Sequence, residues 1–197
     1  MPPTTTTKRM PLEIERLPVR FDNDDGRVIA RLFTPGGEMR IRKVIQRIGR
    51  LGENDIDRLL ADVMQKFRHR HGEIEKIFLD HYETVVRMVG RPIGLSENRK
   101  LLIGSYFTME YSFESAALFN PSIVPSKLQC SVDRESVRFL MSLRATGEGH
   151  ISSLVFRTGT ITADGVVEVD PPSRISHAAK ISHDRLYHRE VFRRKLH

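Results

Sequence analysis

Residues 115–160 read SAALFNPSIVPSKLQCSVDRESVRFLMSLRATGEGHISSLVFRTGT, and the period of this stretch sets the fold class. From Val137 the apolar positions Val137, Phe139, Met141 and Leu143 alternate with Arg138, Leu140, Ser142 and Arg144. That two-residue period marks a half-buried strand. Ala145 to His150, with Gly147 and Gly149, form a turn. Ile151–Thr162 make a second strand, Asp164-Gly165 signals a hairpin, and Val166–Val169 give a third before Pro171-Pro172 break the sheet. On the other side of Asn120-Pro121 the stretch closes a helical region.

Working toward the N-terminus, the period becomes helical. Met39, Ile41, Val44, Ile45, Ile48 and Leu51 recur at three- and four-residue spacing and predict one helix, ended by Gly52. Ile56, Leu59, Leu60, Val63 and Phe67 predict a second. A third starts at Glu73, turns Ile74, Ile77, Phe78, Val85, Met88 and Val89 inward, and stops before Arg91-Pro92. Ser96 can cap a fourth, apolar almost all round, which runs toward Leu118 and so is expected to be buried. Ahead of the helices, residues 12–34 show two short alternating runs around Asp24-Asp25-Gly26, a turn between two strands.

The expected class is therefore α+β, a helical region followed by antiparallel strands. Residues 1–11, rich in Thr and Pro, read as a disordered leader. Strands and helices occupy 12–118, the sheet 119–173, and a basic tail 174–197, whose helix from Asp184 turns Leu186, Tyr187, Val191 and Leu196 inward.

With 197 residues and 39% apolar content the chain can bury a sizeable core. No apolar run is long enough to span a bilayer, and the start lacks the apolar segment of a secretory signal. The single cysteine, Cys130, suits a reducing cytoplasm and has no activating motif around it. Net charge is +7, but the last 24 residues hold seven Lys/Arg against Asp184 and Glu190, leaving 25 basic and 23 acidic groups elsewhere. A tail of that kind, with only Tyr187 and Phe192 for stacking, argues against nucleic acid as the partner.

Enzyme templates fail on spacing. Gly147-x-Gly149 lacks the third glycine of a dinucleotide fingerprint and the Lys of a phosphate loop. The eight histidines show no metal-ligand spacing, and His69 and His71 read as surface residues. Glu110 and Glu114, four apart on the expected fourth helix, could serve acid–base chemistry. Pairing with an arginine such as Arg144 accounts for them better. Sugar binding needs fixed, directional donors, which Asn120, Arg144 and one of Ser152 and Ser153 could supply around the turn. From pattern alone, a buried arginine that merely ties two strands accounts for Arg144 better.

The runs ESAALFNPSIV (114–124) and RFLMSLRATGEGHISSLVFRTGTI (138–161) resemble the inverting mannoside phosphorylases and mannosidases of glycoside hydrolase family 130, in particular their long-chain members. The segment from RVIARLF (27–33) through LLIGSYFTMEYS (101–112) resembles the helical extension of those members. The resemblance implies a five-bladed β-propeller with a central sugar cleft. It also implies transfer of a mannosyl unit between a β-mannoside and inorganic phosphate, or hydrolysis of that bond, without a further cofactor. It makes Asn120 and Arg144 sugar-binding residues, with Ser152, Ser153 and Arg157 carried over on the next strand. The family's general acid, an aspartate in an acidic-Asp-Ala/Pro-Arg motif of a later blade, has no match here. Asp170-Pro171-Pro172-Ser173-Arg174 departs from it, and no catalytic or metal-binding residue is expected.

Five four-stranded blades need roughly 200 residues; residues 119–197 allow one. The expectation is an N-terminal portion of such an enzyme, inactive alone, whose open blade exposes a strand edge and favours homo-oligomers. A non-enzymatic interaction protein, docking a partner through its helices and basic tail, is the alternative.

Overall fold

A computed structural model of the chain describes residues 16–90, 92, 94–129 and 135–177. The leader at 1–11, Cys130 and the tail helix from Asp184 lie outside the described residues. In order the elements are β1 (Val28–Leu32), α1 (Gly37–Gly49), α2 (Glu53–Phe67), α3 (Ile74–Val89), α4 (Glu97–Tyr106), β2 (Thr108–Ser112), β3 (Ala117–Pro125), β4 (Val137–Thr146), β5 (Ser152–Ile161) and β6 (Val167–Val169). The class is α+β. Among the described residues the strands form a two-stranded sheet of β1 and β2 and a four-stranded sheet in the order β3-β4-β5-β6, neither of them closed.

The chain divides into two compact units that interleave along the sequence. One runs up to Val28 and from Tyr111 to Arg174; the other holds Ile29–Glu110 and the segment from Ile175.

In the helical unit the three- and four-residue spacing puts Ile41, Ile45 and Ile48 of α1 into one core with Ile56, Tyr82, Val85, Val86, Leu102, Ile103 and Phe107. Leu60, Met64, Ile74, Phe78 and Leu101 form a second cluster. Met39 and Met88, expected inside, are exposed. Glycine at 104 lets α4 approach α3: a Cβ there would lie 1.8 Å from the Phe78 carbonyl oxygen. Arg99, buried on α4, donates to the carbonyls of Ile48 (2.6 Å) and Leu51 (2.8 Å) and to Glu53 (2.6 Å). A cation thus satisfies the orphan carbonyls at the end of α1, where the helix dipole favours it. The Ser96 hydroxyl caps α4 by accepting from the Arg99 amide at 3.3 Å, as its position predicts.

α4 stops at Tyr106, twelve residues short of the expected end. The Thr108 hydroxyl donates to the Gly104 carbonyl at 2.9 Å, and the Phe33 amide donates to the Phe107 carbonyl at 2.8 Å. Helical pairing gives way there to strand pairing with β1. An apolar run of this kind fits a buried helix and a buried strand alike, and period alone cannot separate them. Met109 and Tyr111 of this run lie in β2, and Phe113 follows it.

The four-stranded sheet is an antiparallel meander. β4 and β5 pair from Val137↔Ile161 to Thr146↔Ser152, and β6 pairs Val167 with Ile161. The predicted strands hold within two residues, whereas β2 and the start of β3 replace the end of the expected helix. No strand precedes the Asp24-Asp25 turn among residues 16–23, although one was expected. One face buries Phe139, Met141, Leu143, Ala145 and Val155; Leu140, Leu154 and Phe156 stand on the other.

Candidate functional site

The expected sugar-binding residues fall on both faces of this sheet. On its outer face, β3 pairs Phe119 with Arg144 and then Ser122 with Ser142. Asn120 and Pro121 therefore stand opposite Leu143 alone, which is a β-bulge. Asn120 adopts φ 53, a left-handed conformation that asparagine tolerates better than most residues. Pro121 has no N–H to lose on an edge strand. The bulge carries Asn120 out of the ladder beside the Phe119–Arg144 pair.

Arg144 is exposed and fixed from two sides. Its Nε and Nη2 donate to Ser152 Oγ at 3.2 and 3.0 Å, and its guanidinium carbon lies 5.2 Å from the centre of the Phe119 ring. The turn that joins the two strands is a single 3₁₀ turn, Glu148–His150. It starts at Gly147, where a Cβ would lie 2.4 Å from the Ser112 carbonyl oxygen. Only glycine lets the turn seat there, which fixes the end of β4 that carries Arg144. Arg144 and Ser152 thus share one end of one face, and the bulge sets Asn120 at that end of the sheet.

Ser153 and Arg157 take the opposite face, as the two-residue period requires. Arg157 is buried and donates through Nη2 to both carboxylate oxygens of Glu114, at 3.0 and 3.1 Å. Arg27 donates to the same carboxylate at 2.7 Å, and its guanidinium lies 5.2 Å from the Phe113 ring. Glu114 has no exposed surface. Its partners are Arg27 and Arg157, not Arg144, and it follows β2 instead of sitting on a helix. Next to this triad a cavity of about 460 Å³ is lined by Arg20, Phe21, Asn23, Leu118 and Pro171 among others.

Asp170 accepts from Arg138 Nη2 and from Thr158 Oγ1, at 2.6 and 2.5 Å. The Arg138 guanidinium first, and then the Thr158 hydroxyl, hold its carboxyl below the usual range. This aspartate of the Asp170-Pro171-Pro172 segment anchors the end of β6.

Two arrangements were not legible as sites. One is the Arg27–Glu114–Arg157 triad; the other is in the helical unit, where His71 Nε2 lies 2.8 Å from Glu110 Oε1 and Arg70 Nη2 lies 2.8 Å from Glu110 Oε2. His71 is buried, against the expectation of a surface histidine. Partners 39 positions apart leave no spacing to read. For Arg157 a signal existed: the alternation of β5 sets it on the face of Val155. Among the described residues no group of three His, Cys, Asp or Glu could hold a metal ion, and no helix is long and apolar enough to cross a membrane.

No family model matches the chain, and no curated protein or solved structure gives a significant match.

Proposed function

We propose that the four-stranded sheet is the sugar-holding blade of a β-mannoside-processing protein, and that this chain binds a mannoside without cleaving it. The observation that carries the reading is the placement of Asn120 in a left-handed bulge beside Arg144, itself braced by Ser152 and Phe119. Sugar hydroxyls are recognised by directional donors whose geometry is fixed before binding. The exposed Phe156 ring, with Phe119, offers apolar surface for the C–H face of a pyranose. A meander of four antiparallel strands is also the unit from which propellers are built.

The proposal of no cleavage rests on the missing general acid. Inverting transfer to phosphate or water requires a carboxylic acid at the leaving oxygen. Asp170, the aspartate nearest in sequence to the family's motif, is held ionised by Arg138 and Thr158.

Titration of the purified chain with β-mannobiose, followed by calorimetry, tests the reading. Saturable binding is expected, and Arg144→Ala should weaken it about tenfold or more, since a hydrogen bond to a charged group is worth about 1.5–3 kcal/mol. Absence of binding, or an Arg144→Ala chain that binds as well as the parent, sinks the proposal. Release of mannose phosphate from β-mannobiose and inorganic phosphate would overturn the claim of no cleavage.

A second reading, a non-enzymatic interaction module, is favoured by one feature. Val124, Leu140, Leu154 and Phe156 are exposed on a single face, and β3 leaves its outer edge without a strand among the described residues.

A further inference from the structure

The helical unit holds a second cavity, of about 480 Å³, whose lining is out of character for a chain of net charge +7. No lysine or arginine lines it. Its polar walls are His71, Glu73, Asp80, His81, Ser176 and His177, and Ala30 and Ile77 form an apolar side.

Hydrogen bonding settles which nitrogen of His81 keeps a free lone pair. The one hydroxyl proton of Thr108 goes to the Gly104 carbonyl, so Thr108 Oγ1 must accept from His81 Nδ1, 2.7 Å away. In the neutral ring Nε2 is then the free acceptor. A carboxylate accepts only, so His71 gives its Nε2 proton to Glu110. Burial pushes the His81 imidazole below the usual histidine range, against the opposing pull of Asp80. His81 therefore keeps its lone pair at neutral pH. The charged groups around the cavity are the Glu73 and Asp80 carboxylates; behind His71 stand Glu110 and Arg70, paired with each other. Of the α3 first turn, Ile74, Glu75 and Lys76 line an adjacent groove with Arg68 rather than this cavity.

A site that offers acceptors, negative charge and one apolar wall selects a ligand that is a donor, positive and partly aliphatic. We propose that this cavity binds a small aliphatic amine as its ammonium ion. His81 Nε2 and the Asp80 carboxylate take the N–H groups, and the methylene chain lies on Ala30 and Ile77. This site is independent of the mannoside reading, lying in the other unit and requiring none of its residues.

Calorimetric titration of the full chain with putrescine at about pH 7.5 tests the proposal, butanediol serving as the neutral isostere. Saturable binding of one putrescine is expected, with none of the diol. Asp80 is exposed, so Asp80→Asn should fold normally, with an unchanged thermal melt, and should bind about tenfold more weakly or worse. As pH falls through the lowered His81 value, its imidazole charges while the amine stays protonated, and binding should weaken. No binding of putrescine, equal binding of butanediol, or an unaltered Asp80→Asn affinity would each overturn the assignment.

Discussion

Glu114 is the residue whose loss should matter most in the sheet unit. Two arginines converge on a carboxylate with no solvent contact, and removing its charge leaves the buried Arg157 and the half-buried Arg27 without compensation. Glu114→Gln should therefore destabilise the unit by about 3–5 kcal/mol, measured by urea denaturation. A loss below about 1 kcal/mol would mean that water reaches the triad and screens it. Arg144 is the opposite case. It is exposed, and its bonds go to a serine, so Arg144→Ala tests binding with little effect on stability. The two-residue period of β5 sets Arg157 on the face of Val155 and Gly159. What it could not supply was the identity of the partners, since Arg27 and Glu114 lie 87 positions apart.

At the scale of elements, helices with one apolar face were readable because tertiary packing and local period agree. α2 starts and α3 ends where the pattern puts them. The run from Leu101 to Phe113 was not readable, because it is apolar on every side and satisfies both periods. There the partner decides: Thr108–Ser112 pair with β1, and a helix cannot offer that ladder. β3 was missed for a related reason, since Asn120-Pro121 reads as a turn and the structure makes it a bulge. As an edge strand carrying exposed Ile123 and Val124, β3 should promote self-association. Light scattering should show mass rising with concentration for the parent chain. Val124→Lys should suppress that rise, because a charge on an edge strand opposes pairing with another chain. A parent chain that stays monomeric across the range rules out the role assigned to this edge.

Across the whole molecule, acid should weaken the two units in different pH windows. The folded state holds His81 below its unfolded value, so it binds fewer protons than the unfolded chain. The stability concerned is intact above about pH 6.5 and is lost progressively as pH falls toward the folded value. Asp170 is depressed from the carboxylate range, so its contribution is present above about pH 4 and is lost as pH falls through the folded value. Amide exchange at descending pH should loosen α3 and α4 before β5 and β6. Simultaneous loosening of both units would show that other groups set the acid limit. Pattern by itself determined the class, the presence of the four helices, most of the inner faces of the first three, and the strands from Val137 onward, because each depends on neighbours within one turn or one pleat. Tertiary structure alone decided the end of α4, the bulge at Asn120, the convergence of Arg27 and Arg157 on Glu114, and the burial of His71 against Glu110. Each of those depends on a partner tens of residues away, and local period carries no record of it.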